Sequence, residues 1–123
     1  MTSPANPERA LILCIDDDPV ALRVRNLLLT GAGYDVLTAP SGEAGLDLLK
    51  ENPVNLVIAD HFLSEKTGTE IAREMKELKA DVPILIVSAA AEKLSGIELV
   101  DGFIAKGESP DVLLETIRRV LRN

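Results

Sequence analysis

The residues best suited to chemistry in this 123-residue chain are mostly acidic, and they stand directly after short apolar runs. Asp16, Asp17 and Asp18 follow ALILCI, Asp60 follows LVIA, Ser88 follows ILIV and Lys106 follows GFIA. Two carboxylates about 4 Å apart repel by about 4 kcal/mol at an effective dielectric near 20. Asp16, Asp17 and Asp60, once brought together, therefore make a site that a hard, oxygen-seeking cation relieves. Mg2+ suits a few carboxylates plus retained waters, and Mn2+ could stand in for it. Lys106 would balance one further negative charge, and Ser88 would supply a hydroxyl. Carboxylates, a divalent ion, a hydroxyl and a lysine around one point suit phosphoryl chemistry.

A parallel sheet is what would gather these positions. Apolar runs at 10–15, 35–39, 56–59, 84–87 and 102–105 alternate with amphipathic stretches, the pattern of βα units. The runs are continuous instead of alternating, as in strands covered on both faces; the second is weakest and suits an edge. A first helix over 19–30 is expected to carry Val20, Val24, Leu27 and Leu28 on one stripe, with Gly31 and Gly33 ending it. Ser41 can cap a second helix to about residue 51, with Leu46 and Leu49 inward and Asn52-Pro53 as its stop. Thr67-Gly68-Thr69-Glu70 has the spacing of a capping box ahead of Ile71, Met75 and Leu78. A fourth helix is expected within 91–100, and Ser109-Pro110 opens a fifth whose Leu113, Leu114, Ile117 and Leu121 share a face. The fold class is α/β: a doubly wound five-stranded parallel sheet in a three-layer sandwich. Right-handed crossovers put every strand C-terminus along one edge.

Composition narrows the partners. Apolar residues make up 46% of the chain and aromatics only 2%, so the core must be aliphatic. Thirteen basic against twenty acidic residues give a net charge of −7, which argues against direct nucleic-acid contact. A single cysteine, Cys14, excludes a disulfide framework, fits a reducing, cytoplasmic setting and reads as core filler. The longest stretch of low polarity, 82–91, falls far short of the ~20 residues of a spanning helix, so no membrane partner is expected. Residues 1–9, MTSPANPER, read as a disordered lead, and residues 10–123 as one domain. His61, beside Asp60, is expected to be an exposed loop residue, and Asp18 to cap the first helix.

The segments ILCIDDDP (12–19), LVIADHFL (56–63), PILIVSAA (83–90) and DGFIAKGES (101–109) resemble the receiver domain of two-component response regulators. The resemblance runs from residue 10 to residue 121 and implies a flavodoxin-like (βα)5 fold. It implies that Asp60 is the phosphoacceptor, taking its phosphoryl group from a sensor histidine kinase or a histidine phosphotransfer protein. Asp17 would bind Mg2+ directly and Asp16 through water, with Asp60 and the backbone carbonyl of Phe62 as further ligands. Lys106 would pair with the phosphoryl oxygens and Ser88 would hydrogen-bond to one of them. Ser88 and Phe103 would form the switch that alters the face made by the fourth helix, fifth strand and fifth helix. A downstream protein or a missing output domain would read that face, and phosphorylation could drive homodimerisation. The expected product is a bacterial signalling phosphoprotein that assists its own phosphorylation and dephosphorylation, not a dedicated enzyme. The family's Met-Pro is Leu63-Ser64 here, which predicts a more mobile loop, and its Pro after the lysine is Gly107, which predicts a different loop around Lys106. Phe62 and Ala90, at positions that tune phosphoryl lifetime, predict slow self-dephosphorylation. The last segment also resembles receivers that precede a helix-turn-helix domain.

Two other readings compete. Asp16-x-Asp18-x-Val20 matches the D-x-D-x-[TV] motif of haloacid-dehalogenase-type phosphatases. That reading leaves Asp60 without a role, lacks a late acidic pair, and needs a cap domain that 123 residues do not hold. A degenerate receiver, acting unphosphorylated as an interaction module, is the other; only the departures at Leu63-Ser64 and Gly107 favour it.

Overall fold

Five short aliphatic runs become strands because each can bury both of its faces. In the computed structural model, which describes residues 9–63, 66–89 and 100–122, they are β1 (Leu11–Ile15), β2 (Asp35–Ala39), β3 (Leu56–Asp60), β4 (Ile84–Ser88) and β5 (Gly102–Ala105). All pair in parallel, in the order β2-β1-β3-β4-β5, so β2 does lie at an edge. The helices are α1 (Pro19–Gly31), α2 (Gly42–Glu51), α3 (Gly68–Leu78) and α4 (Pro110–Arg122). The helix expected within 91–100 and the loop at Ser64 fall largely outside the described residues, as does most of the expected N-terminal lead.

Alternation along each strand divides the core in two. Leu13, Ile15, Val57, Ala59, Ile84 and Ile86 face Leu49 of α2 and Ile71, Ala72 and Met75 of α3. Ile12, Cys14, Leu56, Ile58, Leu85, Val87 and Ile104 face Leu22 and Leu29 of α1 and Leu113 and Ile117 of α4. Burying each large aliphatic side chain is worth about 1.5–3 kcal/mol, so two continuous layers hold the sheet without disulfides. Cys14 is fully buried, as expected of core filler.

The helix signals are realised with one correction. Asp18 caps α1 through a bond to the Val20 N–H (3.0 Å), Ser41 caps α2, and Thr67 with Glu70 closes a capping box on α3. Ile71 and Met75 of α3 are buried, while Leu78 at its end is exposed. The stripe expected on α1 is wrong in three of its four members: Val20, Val24 and Leu27 are 67%, 60% and 70% exposed, while Leu28 is half-buried against the core and Leu22 and Leu29 are buried. Apolar residues run almost all the way round this helix, so periodicity could not choose among stripes. Packing against the sheet selects Leu22 and Leu29, with Arg25 between them at spacings of three and four.

Candidate functional site

Strand order makes the site. Chain connections reverse direction between β1 and β3, and the carboxyl ends of the strands flanking such a point form the crevice of a doubly wound sheet. Asp16 follows β1, and Asp60 is the last residue of β3 itself. One further ladder bond pins most of these positions. Asp16 N–H donates to the Ala39 carbonyl (3.2 Å), His61 N–H to Val87 (2.8 Å) and Lys106 N–H to Ser88 (2.7 Å).

The three aspartates after β1 have separate duties. Asp16 is 2% exposed and accepts a hydrogen bond from the Asp18 N–H (2.9 Å), while Asp18 turns its carboxylate to the α1 cap. Asp17 stays on the exposed rim. Carboxylate oxygens of Asp16, Asp17 and Asp60 lie within 4.8 Å of one another. Lys106 Nζ donates to Asp60 Oδ2 at 3.2 Å. Asp60 Oδ1, buried, has no hydrogen-bond partner among the described residues. Burial, above all, pushes the Asp16 carboxyl above the ordinary carboxylate range; the Asp18 N–H opposes this, the Asp60 charge adds to it, and Arg25 and Lys106 oppose it.

A cleft of about 470 Å³ opens on this cluster, lined by all three aspartates, Lys106 and Gly107 at one end and by Val24, Leu28 and Leu113 toward α1 and α4. Three close carboxylates, one with a buried oxygen lacking a partner, are a donor set that fits Mg2+ or Mn2+.

Other expected site residues are placed as follows. Ser88 ends β4 and is buried; it is not among the residues lining the cleft. Phe103 is half-buried against the α2–α3 side of the core. Phe62 forms an antiparallel bridge with Thr67 and exposes its ring. His61 is a correction: it is buried, not exposed, with its ring edge-to-face on Phe62 at 4.8 Å. The N-terminus of α3 closes over it, since Gly68 N–H donates to the His61 carbonyl at 2.7 Å. That approach needs a glycine, because a Cβ at Gly68 would lie 2.7 Å from the Asp60 carbonyl oxygen. Around Lys106 the loop does differ from one built on proline: Gly107 takes φ +93, which proline cannot adopt, and Lys106 still reaches Asp60.

Arg25 went unnoticed in the sequence. Its Nη1 lies 3.7 Å from Asp16 Oδ2, and its side chain is only 13% exposed. The available signal was its spacing from Leu22 and Leu29, which puts it on the same face of α1.

The fold and the acidic cleft define a doubly wound α/β domain whose carboxyl edge gathers three carboxylates and a lysine. The family model of the response regulator receiver domain matches residues 12–118, and the chain belongs to that family, a family of signalling domains. It is 34% identical to the probable transcriptional regulator ycf27 of Porphyridium aerugineum over 94% of this chain and 49% of that protein. It is 33% identical to the transcriptional regulatory protein GlrR of Escherichia coli K12, over 88% of this chain and 25% of the other. The chain thus spans half or less of the length of these relatives. A CheY-like receiver domain from Methanospirillum hungatei superposes with TM-score 0.86 at 28% identity, covering 94% of this chain and 95% of that one. The response regulator TrrA of Thermotoga maritima, solved in complex with Mg2+ and BeF, superposes with TM-score 0.84 at 27% identity, covering 90% and 98%. Among the described residues no helix is long and apolar enough to cross a membrane.

Proposed function

We propose that this domain accepts a phosphoryl group on Asp60 from a phosphohistidine of a sensor kinase or phosphotransfer protein and relays the change to a protein partner. The observation that carries this is the state of the Asp60 carboxylate, which clusters with those of Asp16 and Asp17: Lys106 holds one oxygen, while the other is buried without a hydrogen-bond partner among the described residues. Asp60 Oδ1 attacks phosphorus, the P–N bond breaks, and the imidazole departs with the bonding pair. Asp17 would hold Mg2+ directly and Asp16 through water, with Asp60 and the Phe62 carbonyl completing the protein ligands. The ion, when bound, supplies positive charge for the phosphoryl oxygens.

Lys106 then turns from Asp60 to the phosphoryl group, and Ser88 donates a hydrogen bond to it. Phe103, half-buried on β5 beside β4, would follow that movement. The surface of β5, α4 and the segment before β5 would carry the signal, by heterologous contact or homodimerisation. The exposed apolar stripe Val20, Val24 and Leu27, with Val24 on the cleft wall, suits the docking of the phosphodonor. Phe62 and Ala90 cannot orient an attacking water, so the acyl phosphate should be long-lived. A reaction among cytoplasmic proteins fits this scheme.

Incubation with acetyl phosphate, with and without Mg2+, tests the reading by mass spectrometry. A single Mg2+-dependent phosphoryl adduct, lost in Asp60→Asn, is expected. An adduct retained in Asp60→Asn but lost in Asp16→Asn would favour a phosphatase-like nucleophile. No adduct with either acetyl phosphate or beryllofluoride would leave an unphosphorylated interaction module.

A further inference from the structure

Of the two arginines of α1, Arg23 faces solvent and Arg25 turns inward, on the face that packs Leu22 and Leu29 against the sheet. A cation in that position is costly unless something negative compensates it. The compensation here is unusual in form. Arg25 Nη1 is buried and has no hydrogen-bond partner among the described residues, and its ion pair with Asp16 Oδ2 is 3.7 Å long. That distance is beyond a hydrogen bond, so the attraction is Coulombic and not a bidentate clamp. The guanidinium lines the acidic cleft from the α1 side, while Lys106 approaches from β5.

Charge balance gives this placement a consequence. Asp16, Asp17 and Asp60 with Lys106 alone carry two net negative charges, the complement of one divalent ion; Arg25 reduces that to one. We propose that Arg25 is a resident counter-ion of Asp16, a positioning residue that holds the acidic cluster together without metal and weakens its affinity for Mg2+. It competes with the ion for the charge of Asp16 and leaves the metal-loaded cleft with an excess positive charge for an incoming phosphoryl dianion. Because the pair is largely buried, salt screens it little.

This inference rests on the Mg2+ reading of the site, and its test is a binding measurement on the full chain without phosphodonor. Mg2+ is titrated at constant ionic strength while backbone amide shifts are followed by NMR. Arg25→Met and Arg25→Gln are expected to bind Mg2+ about tenfold more tightly than the unsubstituted protein, the order for a unit charge acting on a divalent ion across several ångströms. Arg25→Lys, which keeps the charge, should stay within about twofold. A role in packing alone would change stability and leave these affinities equal. Equal or weaker binding by folded Met and Gln variants overturns the inference while leaving the Mg2+ reading intact. Absence of binding by every form overturns both. Should neither neutral variant fold, the Arg25 Nε–H signal of the unsubstituted protein decides: a shift on Mg2+ addition supports the counter-ion role, and no shift overturns it.

Discussion

Asp16 and Asp60 are both aspartates at strand ends in one cleft, yet their surroundings differ. Lys106 contacts Asp60 directly, while Asp16 has a backbone N–H and a guanidinium out of hydrogen-bond reach. Burial raises the Asp16 pKa, so the folded state holds that proton more tightly than the unfolded chain does. Stability from this group is therefore fully present below its unfolded pKa and is lost as pH rises through the folded one. Without metal, and in an Arg25→Met background that leaves no buried cation unpaired, adding Asp16→Asn should stabilise the protein at pH 7 by about 1 kcal/mol, the usual size of such charge relief. The gain should vanish at acid pH, where Asp16 is protonated. Urea unfolding at several pH values in EDTA checks this; no gain at pH 7 over Arg25→Met alone would show that burying the Asp16 charge costs the fold little. Cys14 has a different fate in the same layer of the sheet. Burial pushes its thiol up to about 12, which suits an inert core side chain.

The elements deliver these residues through a few close approaches. The N-terminus of α3 sits against the end of β3 because Gly68 has no side chain; a Cβ there would meet Asp60, His61 and Ile86 at 2.7–3.0 Å. Two of those neighbours are backbone atoms, so the helix must move. Gly68→Ala should destabilise by about 1–3 kcal/mol, the range for overpacking, and slow Asp60 labelling by acetyl phosphate. Thermal melts and labelling rates together check this; unchanged rates would mean that the β3 end is insensitive to α3. The strands were legible in the sequence because burial on both faces leaves runs such as ILIV, and the caps because Asp18, Ser41 and Thr67 stand at helix starts. Three features were not. The inward face of α1 was hidden by apolar residues on nearly every side, and packing against the sheet selects it. The burial of His61 depends on α3 closing over it, a tertiary contact that leaves no local pattern. Arg25 carries the sign of charge that ordinarily marks a solvated face, so its spacing from Leu22 and Leu29 was easily passed over.

For the whole molecule, the proposed Mg2+ site would link folding to metal. Asp16 and Asp17 follow β1 and Asp60 ends β3, so their carboxylates meet only when the two strands pair. The unfolded chain spreads the same groups over more than forty positions of sequence. Mg2+ should thus bind the folded state almost exclusively and stabilise it by mass action, about 2.7 kcal/mol at a hundred times the dissociation constant. For a domain of this size, that is an increase in Tm of roughly 10 °C. The rise should continue logarithmically with Mg2+ concentration, as it does for a ligand of the folded state alone, and EDTA should reverse it. Asp17→Asn should abolish most of it, because that position would hold the ion directly and has an exposed carboxylate whose loss disturbs little packing. Sodium sulfate at matched ionic strength separates the effect from general screening of a chain with net charge −7. Equal stabilisation by sodium and magnesium salts would mean that the ions act on the surface at large. A magnesium-specific rise that Asp17→Asn removes would trace it to the junction of β1 and β3, where part of the chain's excess acid is concentrated.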